Sequence, residues 1–294
     1  MRHTPHQAKR EPGYLIVTAD DFGLAEEINE AVEIAHRQGI LSAASLMVAG
    51  PAAEDAVRRA RRLPNLRVGL HLVLLEEKPV LSPAQISGLV DGSGHMRRDL
   101  VRLAFELVRS ERLRLQLRAE IEAQFAAYLG VGLRLDHVNV HKHYHLHPVV
   151  GREVIAVARR FGAMAVRAPL EPLGVIRRVE NWSVTAASLA LAVCAQWLRS
   201  QVRGAGLLAP DAVFGSTWSG EFTADRLLAL LRHLPGGVIE IYMHPATKDV
   251  FPGSAPGYRY SDEFRALCTL EVLDEIRHSR LKPVGYSDVA ERVP

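Results

Sequence analysis

Five of the thirteen histidines in this chain lie in one short stretch, between residues 137 and 147. His141, His143 and His145 are spaced by two, and residues with this spacing point to the same side of an extended strand. Several histidines on one face are poor core material, because burying them costs desolvation and they repel one another when charged. The stretch is therefore a candidate surface for metal binding and proton transfer.

Two adjacent carboxylates and one more histidine come from other parts of the chain. Residues 14–19 read as a buried parallel strand that runs directly into Asp20 and Asp21. His71 lies within a second apolar stretch, residues 68–74. Taken singly, the carboxylates could form a helix cap or turn and His71 could be a core residue. Together, Asp, His and His from three strands are the ligand set of a hydrolytic or oxidative metal centre.

The composition is that of an ordinary globular protein with a large core: 294 residues, 48% of them hydrophobic and 23% charged. The net charge is only +3, from 36 basic and 33 acidic residues, so it does not indicate a nucleic-acid partner. Cys194 and Cys268 are far apart in the sequence. This argues against a disulfide scaffold or a zinc ribbon and fits a reducing cytoplasm.

Two segments bear on localisation. Residues 1–13 are polar and basic, lack the apolar segment of a signal peptide, and are predicted to be a disordered leader. The most hydrophobic later run, residues 184–198, is shorter than the roughly 20 residues that span a bilayer. It could form a buried helix, a partner-facing helix, or one that lies in a membrane interface. We therefore expect a cytoplasmic protein, with peripheral contact at the inner face of the membrane as an option and the oligomeric state left open.

Strands and helices alternate along almost the whole chain. Helical patterns cover residues 25–38, 52–63, 100–129 and 261–279, and the strand candidates are residues 14–19, 43–48, 66–74, 134–141, 163–167, 212–217, 238–243 and 283–286. Strict alternation with short buried strands predicts an α/β fold with a parallel sheet. About eight such units favour a closed or nearly closed barrel, formed by residues 14–294 as a single domain.

Two long interruptions, about residues 76–99 and 174–210, follow strand ends on the rim that would carry the carboxylates and histidines. His244 reaches the same rim at the end of another strand candidate. In a barrel of this kind that rim is the catalytic face, so the interruptions are expected to form substrate walls or lids. Arg167, at a strand end, and Leu189 and Trp197, in the apolar run, are candidates for substrate contact.

Four motifs together resemble those of the YdjC-like carbohydrate deacetylases: TADDFG at residues 18–23, GLHL at 69–72, HKHYHLHP at 141–148 and MHP at 243–245. The resemblance covers about residues 14–290. Within the family, residues 40–51 and 139–143 are most similar to members associated with hopanoid biosynthesis. The chain departs from the family pattern at Asn139 and Val140, where the family usually has Asp-Ser. A carboxylate that could orient a histidine is therefore an amide here.

The resemblance implies a distorted or incomplete TIM-like barrel that removes the acetyl group from an N-acetylated sugar. It implies that Asp21, His71 and His141 bind the metal. It further implies that Asp20 is the general base and that His244 is the general acid. The substrate implied by the hopanoid-associated members is an N-acetylglucosaminyl hopanoid, which would become the glucosaminyl lipid.

Several alternatives remain open beside this assignment. His143 and His145 are reserve candidates for the acid or for positioning a metal ligand. One divalent ion is expected; the family points to magnesium, but two imidazoles and a carboxylate suit zinc better. The substrate could instead be a soluble N-acetyl oligosaccharide. Less favoured are a non-haem iron oxygenase, which uses the same ligand set, and a non-catalytic protein that binds a metal or a sugar.

Overall fold

The computed structural model describes residues 13–279 and 281–292, and in this part of the chain seven parallel strands form one curled sheet. The strand order is β4-β3-β2-β1-β6-β5, and β7 pairs with the beginning of β1. The strands are β1 (Tyr14–Phe22), β2 (Ala43–Leu46), β3 (Arg67–Leu72), β4 (Val138–Val140), β5 (Ala212–Phe214), β6 (Val238–Met243) and β7 (Lys282–Pro283).

Helices connect these strands and cover the outside of the sheet. They are α1 (Glu26–Gln38), α2 (Ala53–Ala60), α3 (Leu100–Arg109), α4 (Glu111–Gly130), α5 (Pro148–Arg160), α6 (Leu173–Val179), α7 (Ala186–Gly204), α8 (Ala224–Leu231), α9 (Tyr260–Cys268), α10 (Leu270–His278) and α11 (Tyr286–Ala290). The helical stretch predicted over residues 100–129 is divided at Ser110, whose hydroxyl accepts the Leu113 N–H and so caps α4.

The barrel is incomplete between β4 and β5. The strand predicted at residues 163–167 is replaced by an irregular segment that makes isolated parallel bridges, Val138 with Val166 and Ala165 with Leu208. The same segment reaches β5 further on, where the Val213 N–H donates to the Leu170 carbonyl at 2.9 Å. The predicted fold class, an α/β barrel that is distorted or incomplete, is therefore confirmed.

The two faces of the sheet have different chemical character. On β1, Leu15, Val17 and Ala19 belong to the large core between sheet and helices. Ile16 belongs to a smaller apolar cluster with Ala43, Val238, Val284 and Tyr286, which fills the barrel interior near the N-terminal ends of the strands. Towards the C-terminal ends of the strands the barrel interior is polar, beginning with Thr18, whose hydroxyl donates to Glu240 at 2.7 Å.

The histidine-rich segment is not a strand beyond residue 140, so the prediction that its histidines share one strand face is wrong. β4 ends at Val140, and His141–Leu146 forms a short 3-10 segment, here called the histidine turn. Lys142 and His143 within it have φ near 53°, in the left-handed region. Hydrogen bonds of these histidines to distant parts of the fold, described below, outweigh the local alternation.

The two interruptions predicted from the sequence differ in structure. Among the described residues, the segment 76–99 carries one antiparallel bridge, between Val90 and Met96, and no helix. The segment 174–210 contains α7 and most of α6. No described helix combines the length and the apolar character that a bilayer crossing requires.

Candidate metal centre and active site

Three side chains from three strand ends converge on one point of the barrel rim. The Asp21 Oδ1 atom lies 3.2 Å from His71 Nε2 and 3.2 Å from His141 Nδ1. The two histidine nitrogens are 3.3 Å apart. Asp21 and His71 are buried, and His141 is the most accessible of the three. The structure thus brings together the three residues that the sequence suggested as metal ligands.

The arrangement fits a divalent metal ion. The Asp21 Oδ1 atom is buried and makes no hydrogen bond of acceptable geometry. Zinc binds imidazole nitrogen and carboxylate oxygen at about 2.0–2.2 Å, which places neighbouring tetrahedral ligands about 3.3–3.5 Å apart. The three measured separations are close to that spacing. Three atoms with lone pairs that face one another at this distance need a cation or shared protons between them, because they otherwise repel.

A bulge at the end of β1 allows both adjacent aspartates to face the rim. On a regular strand neighbouring side chains point to opposite faces. Asp21 has φ of 60°, and the pairing of β1 with β2 shifts register between Ala19 and Phe22. Aspartate tolerates this left-handed conformation better than most residues, and such strain is concentrated at functional sites. The local geometry therefore supports a ligand role for Asp21 beside a separate role for Asp20.

Asp20 lies against a buried arginine. Arg167 donates from Nη1 to Asp20 Oδ2 at 2.5 Å and from Nη2 to Asp20 Oδ1 at 2.9 Å. Burial alone would raise the pKa of Asp20, but the charge of Arg167, with the nearby His71 and the Arg167 hydrogen bonds, holds it well below its ordinary value. Asp20 is therefore ionised, and the same interactions with Arg167 lower its affinity for a proton.

Arg167 is itself completely buried, and its remaining hydrogen bonds go to a second carboxylate. It donates to Glu240 from Nε at 3.0 Å and from Nη2 at 2.7 Å. Its guanidinium also lies over the Tyr242 ring, 4.5 Å from the ring centre. This placement favours a role in holding Asp20 over the direct substrate contact expected from the sequence.

Asn139 joins His71 to Asp20. Its amide nitrogen donates to Asp20 Oδ1 at 2.9 Å and to Ser45 Oγ at 2.8 Å. Because both amide hydrogens are used in this way, its oxygen must accept the Nδ1–H of His71, at 2.7 Å. That bond leaves the lone pair of His71 on Nε2, the atom that faces Asp21. The amide at position 139 therefore orients a histidine without being a carboxylate.

A buried chain of hydrogen bonds fixes the orientation of Asn139 in turn. His137 Nδ1 lies 2.9 Å from Asp136 Oδ2, and His137 Nε2 lies 2.9 Å from Ser45 Oγ. Asp136 accepts the backbone N–H groups of Tyr286 and Ser287 at 3.2 and 2.8 Å. With Asp136 as the terminal acceptor, each hydroxyl and ring nitrogen has one direction in which it can donate.

Gly69 makes room for this chain. A Cβ atom added at Gly69 would lie 2.5 Å from the His137 ring and from the His137 carbonyl oxygen, closer than atoms of a folded protein approach. The glycine of the GLHL motif is thus required by close packing inside the barrel, two residues before His71.

The two reserve histidines face the barrel interior. The Nε2 atom of His143 lies 2.8 Å from the Tyr242 hydroxyl, and that of His145 lies 2.8 Å from the Arg167 carbonyl. Burial and the nearby Arg167 charge lower the pKa of His143 well below its ordinary value. For His145, burial outweighs its backbone hydrogen bond and lowers the pKa to about 4. Neutral imidazoles in these places suit a positioning role better than proton donation at neutral pH.

His244 follows β6 and is held beside a buried glutamate. Its backbone N–H donates to Glu263 Oε2 at 2.5 Å, and its Nδ1 lies 3.9 Å from the same oxygen. The imidazole packs edge-on against the rings of Tyr242 and Tyr258, with ring centres 5.8 and 5.6 Å apart. Glu263 is completely buried, so its carboxyl group lies beside His244 and away from solvent. This arrangement is compatible with a general acid.

An apolar cavity opens beside the histidine turn. It has a volume of about 370 Å³, and it extends from Lys142 and His143 to Trp182 and Leu191. α7 contributes Ala187, Ser188, Leu191 and Ala192 to its wall. Leu189 lies on the exposed side of the same helix, and Trp197 packs beneath Arg152 of α5. Neither Leu189 nor Trp197 is among the described residues that line this cavity. The substrate contact predicted for these two residues therefore remains a prediction.

Sequence reasoning missed Glu240, Glu263 and the chain from Asp136 to Ser45. Glu240 carried a usable signal, because it is an acidic residue in the otherwise apolar strand 238–243, and a buried carboxylate needs partners. It obtains them from Thr18, Arg167 and Tyr286. Glu263 lies on a surface-type helical pattern and gave no comparable signal.

Comparisons with known proteins find one matching family model, several similar relatives and a solved structure of similar fold. The family model described as YdjC-like protein matches residues 14–278. A carbohydrate deacetylase from Brevibacillus brevis is 28% identical over 278 residues, 94% of this chain and 99% of the relative. One from Geobacillus stearothermophilus is 30% identical over 252 residues, 84% of this chain and 85% of the relative. An Enterococcus faecalis V583 crystal structure, provisionally described as a cellobiose-phosphate cleavage protein, has a TM-score of 0.74 at 23% identity. That match covers 95% of this chain and 99% of the solved one.

Proposed function

The chain belongs to the YdjC-like family, and from this premise we propose that it is a metal-dependent deacetylase of an N-acetylated sugar carried on a hopanoid lipid. Its activity as a carbohydrate deacetylase agrees with the relatives named above. The observation that carries the metal dependence is the convergence of Asp21, His71 and His141, with one buried carboxylate oxygen lacking a hydrogen bond. Zinc suits this donor set better than magnesium, which prefers oxygen ligands.

The proposed reaction is hydrolysis of an amide. Water adds to the acetyl carbonyl, the bond between carbonyl carbon and nitrogen breaks, and acetate and the sugar amine leave. A divalent ion at this site supplies polarisation of the carbonyl and a lowered pKa of water, towards about 7. The protein must then provide a base for the attacking water and an acid for the departing nitrogen.

Asp20 is the proposed base. Each carboxylate oxygen can accept two hydrogen bonds, and Oδ2 accepts one in the structure, from Arg167. The remaining lone pair can take the proton of the attacking water. Arg167 and Asn139 hold the carboxylate in place throughout, so little reorganisation accompanies the proton transfer.

His244 is the proposed acid. A sugar amine is a poor leaving group unless its nitrogen receives a proton as the bond breaks. His244 has a buried Nδ1 without a hydrogen-bond partner among the described residues, beside the Glu263 carboxylate. Glu263 fixes the position of residue 244 by accepting its backbone N–H.

The proposed lipid part of the substrate rests on the resemblance to hopanoid-associated members and on the apolar cavity. One end of this cavity is His143, which belongs to the site, and the other end is the wall formed by α7. A sugar at the metal centre would place a linked apolar body towards α7, where Leu189, Leu191 and Val193 are exposed. These residues would contact the lipid body or the membrane in which it lies.

Paired substrates test this proposal. Loss of an acetyl group from an N-acetylglucosaminyl hopanoid and from a short soluble N-acetylglucosamine glycoside is followed by mass spectrometry. Leu191→Ser should weaken action on the lipid-linked sugar and spare the soluble glycoside, because only remote contacts are lost. Val250→Ser, at an exposed residue outside the cavity, is the matched control. Equal loss on both substrates, with a lower melting temperature, would show that Leu191 contributes to packing instead.

Metal and oxygen controls separate the remaining alternatives. Deacetylation should disappear on chelation, return with zinc, and proceed without oxygen. Activity that required iron and oxygen would indicate an oxygenase, and full activity on soluble oligosaccharides alone would remove the lipid from the proposal. An absence of turnover on every acetylated sugar, with metal still bound, would leave a binding protein.

A further inference from the structure

The outward face of α3 is apolar and uncovered. Val101, Phe105 and Val108 are 70%, 60% and 59% exposed. Their spacing places them on one side of the helix, while Leu103 and Leu107 on the other side are buried against the protein. Single exposed apolar residues are common on proteins, but a row of three large ones along one helix face is the kind of patch that marks an interaction surface.

The apolar surface continues onto the next helix. An open groove of about 890 Å³ is lined by Val101, Phe105 and, from α4, Leu113. Leu115, one turn into α4, is also exposed. We call the surface formed by residues 97–115 the α3 surface.

The charge of the α3 surface indicates what it binds. Residues 97–115 contain six arginines and three acidic residues, a formal charge of +3, which equals the net charge of the whole chain. In the described part of the chain, Arg98, Arg109 and Arg112 form no salt bridge, and Arg109 lies 5.7 Å from the centre of the Phe105 ring. Apolar and aromatic side chains bordered by arginine are typical of helices that lie in the interface of an anionic membrane.

The position of the α3 surface agrees with such a partner. The Tyr144 hydroxyl of the histidine turn donates to the Leu100 carbonyl at 3.5 Å, so the first turn of α3 adjoins the segment that carries His141. α7, with its own exposed apolar residues, packs against the histidine turn as well. Two helices with exposed apolar residues thus adjoin the segment that carries His141.

We propose that the α3 surface binds an anionic lipid bilayer from one side, with Val101, Phe105 and Val108 at the boundary of the acyl chains and the arginines at the phosphates. A second copy of the chain is a poorer occupant. A two-fold interface would place the same arginine-rich patch against itself, and like charges across an interface repel. The proposal concerns attachment and does not depend on which molecule is hydrolysed.

Vesicle binding by the full-length protein tests this inference. Co-sedimentation is measured with phosphatidylcholine vesicles, with and without phosphatidylglycerol, none containing an acetylated sugar. We expect binding to the anionic vesicles that weakens with salt. The triple variant Val101→Ser, Phe105→Ser, Val108→Ser should bind at least about tenfold more weakly, because it loses the apolar contacts. Replacing Arg98, Arg109 and Arg112 by glutamine should weaken binding by about fivefold per arginine.

Two controls make the test specific. Leu270 on α10 is 72% exposed and lies outside the α3 surface, so Leu270→Ser should bind as wild type does. Deacetylation of a soluble glycoside by the triple variant should be unchanged, so attachment and catalysis fail separately. The inference is overturned if wild type does not bind anionic vesicles, if Leu270→Ser binds as weakly as the triple variant, or if light scattering shows that the triple variant dissociates a dimer without any change in vesicle binding.

Discussion

Replacing Asn139 with leucine should loosen the proposed metal site without replacing a proposed ligand. Leucine has nearly the same shape but can neither accept from His71 nor donate to Asp20 and Ser45, which the amide does at 2.7, 2.9 and 2.8 Å. The Nδ1–H of His71 is then buried without an acceptor. The imidazole becomes free to rotate or to change the nitrogen that carries its proton.

The size of the effect follows from these lost contacts. A buried donor left without its partner costs about 1–3 kcal/mol, which should lower the melting temperature of the metal-free protein. Loss of the hydrogen-bond partner of a metal-binding histidine typically costs about 10- to 100-fold in metal affinity. Zinc affinity from chelator competition and melting curves of the metal-free and zinc-loaded protein measure the two quantities separately.

Asn139→Asp is the informative companion variant. A carboxylate keeps the acceptor for His71, so zinc affinity should be retained or should increase. It also places a second negative charge beside Asp20, which raises the pKa of the carboxylate pair, because like charges disfavour ionisation. The acid limb of the pH–rate profile should therefore move to higher pH. Unchanged zinc affinity in Asn139→Leu, or an acid limb that moves to lower pH in Asn139→Asp, would refute the role given to Asn139.

Three further predictions follow from the site and its surroundings. His71→Ala should lose bound metal and activity together, and full metal content in the purified variant would contradict its role as a ligand. Asp20→Asn should keep the metal while turnover falls by roughly 100-fold or more, since the amide is a far weaker base; unchanged turnover would place the base elsewhere. Burial alone would raise the pKa of Asp136, but His137 and the Ser287 N–H hold it below its ordinary value, so its stabilisation is complete above pH about 4 and is lost as the pH falls further. Asp136→Asn should therefore show a shallower fall in melting temperature below pH about 4 than wild type, and parallel curves would exclude this source of acid sensitivity.

The positions of several proposed site residues could be predicted from sequence because they follow from strand periodicity. Asp20, Asp21 and His244 follow recognisable apolar runs and His71 lies within one, and parallel strands bring their C-terminal ends to one rim. The type of each residue then indicated the chemistry. These features depend only on residues that are close in sequence, so they can be recognised without knowledge of the tertiary structure.

The histidine turn and the gap in the barrel could not be predicted in this way. The histidine turn depends on partners that are far away in sequence, because His143 contacts Tyr242 and His145 contacts the Arg167 carbonyl. The segment 163–167 reads as a strand locally but makes only one bridge to β4 and one to Leu208. Just beyond it, the Leu170 carbonyl accepts the Val213 N–H. Local alternation cannot report contacts of this range, and here they outweigh it.

The hydrogen bonds that α11 donates to Asp136 tie the order of folding to the completion of the site. Asp136 is the terminal acceptor of the chain that runs through His137 and Ser45 to Asn139. Its other partners are the N–H groups of Tyr286 and Ser287, at the beginning of α11, the last of the described helices. A ribosome therefore releases the residues that orient His71 long before it releases those that anchor them. Metal capture by a nascent chain at the proposed site should therefore remain weak until α11 has docked.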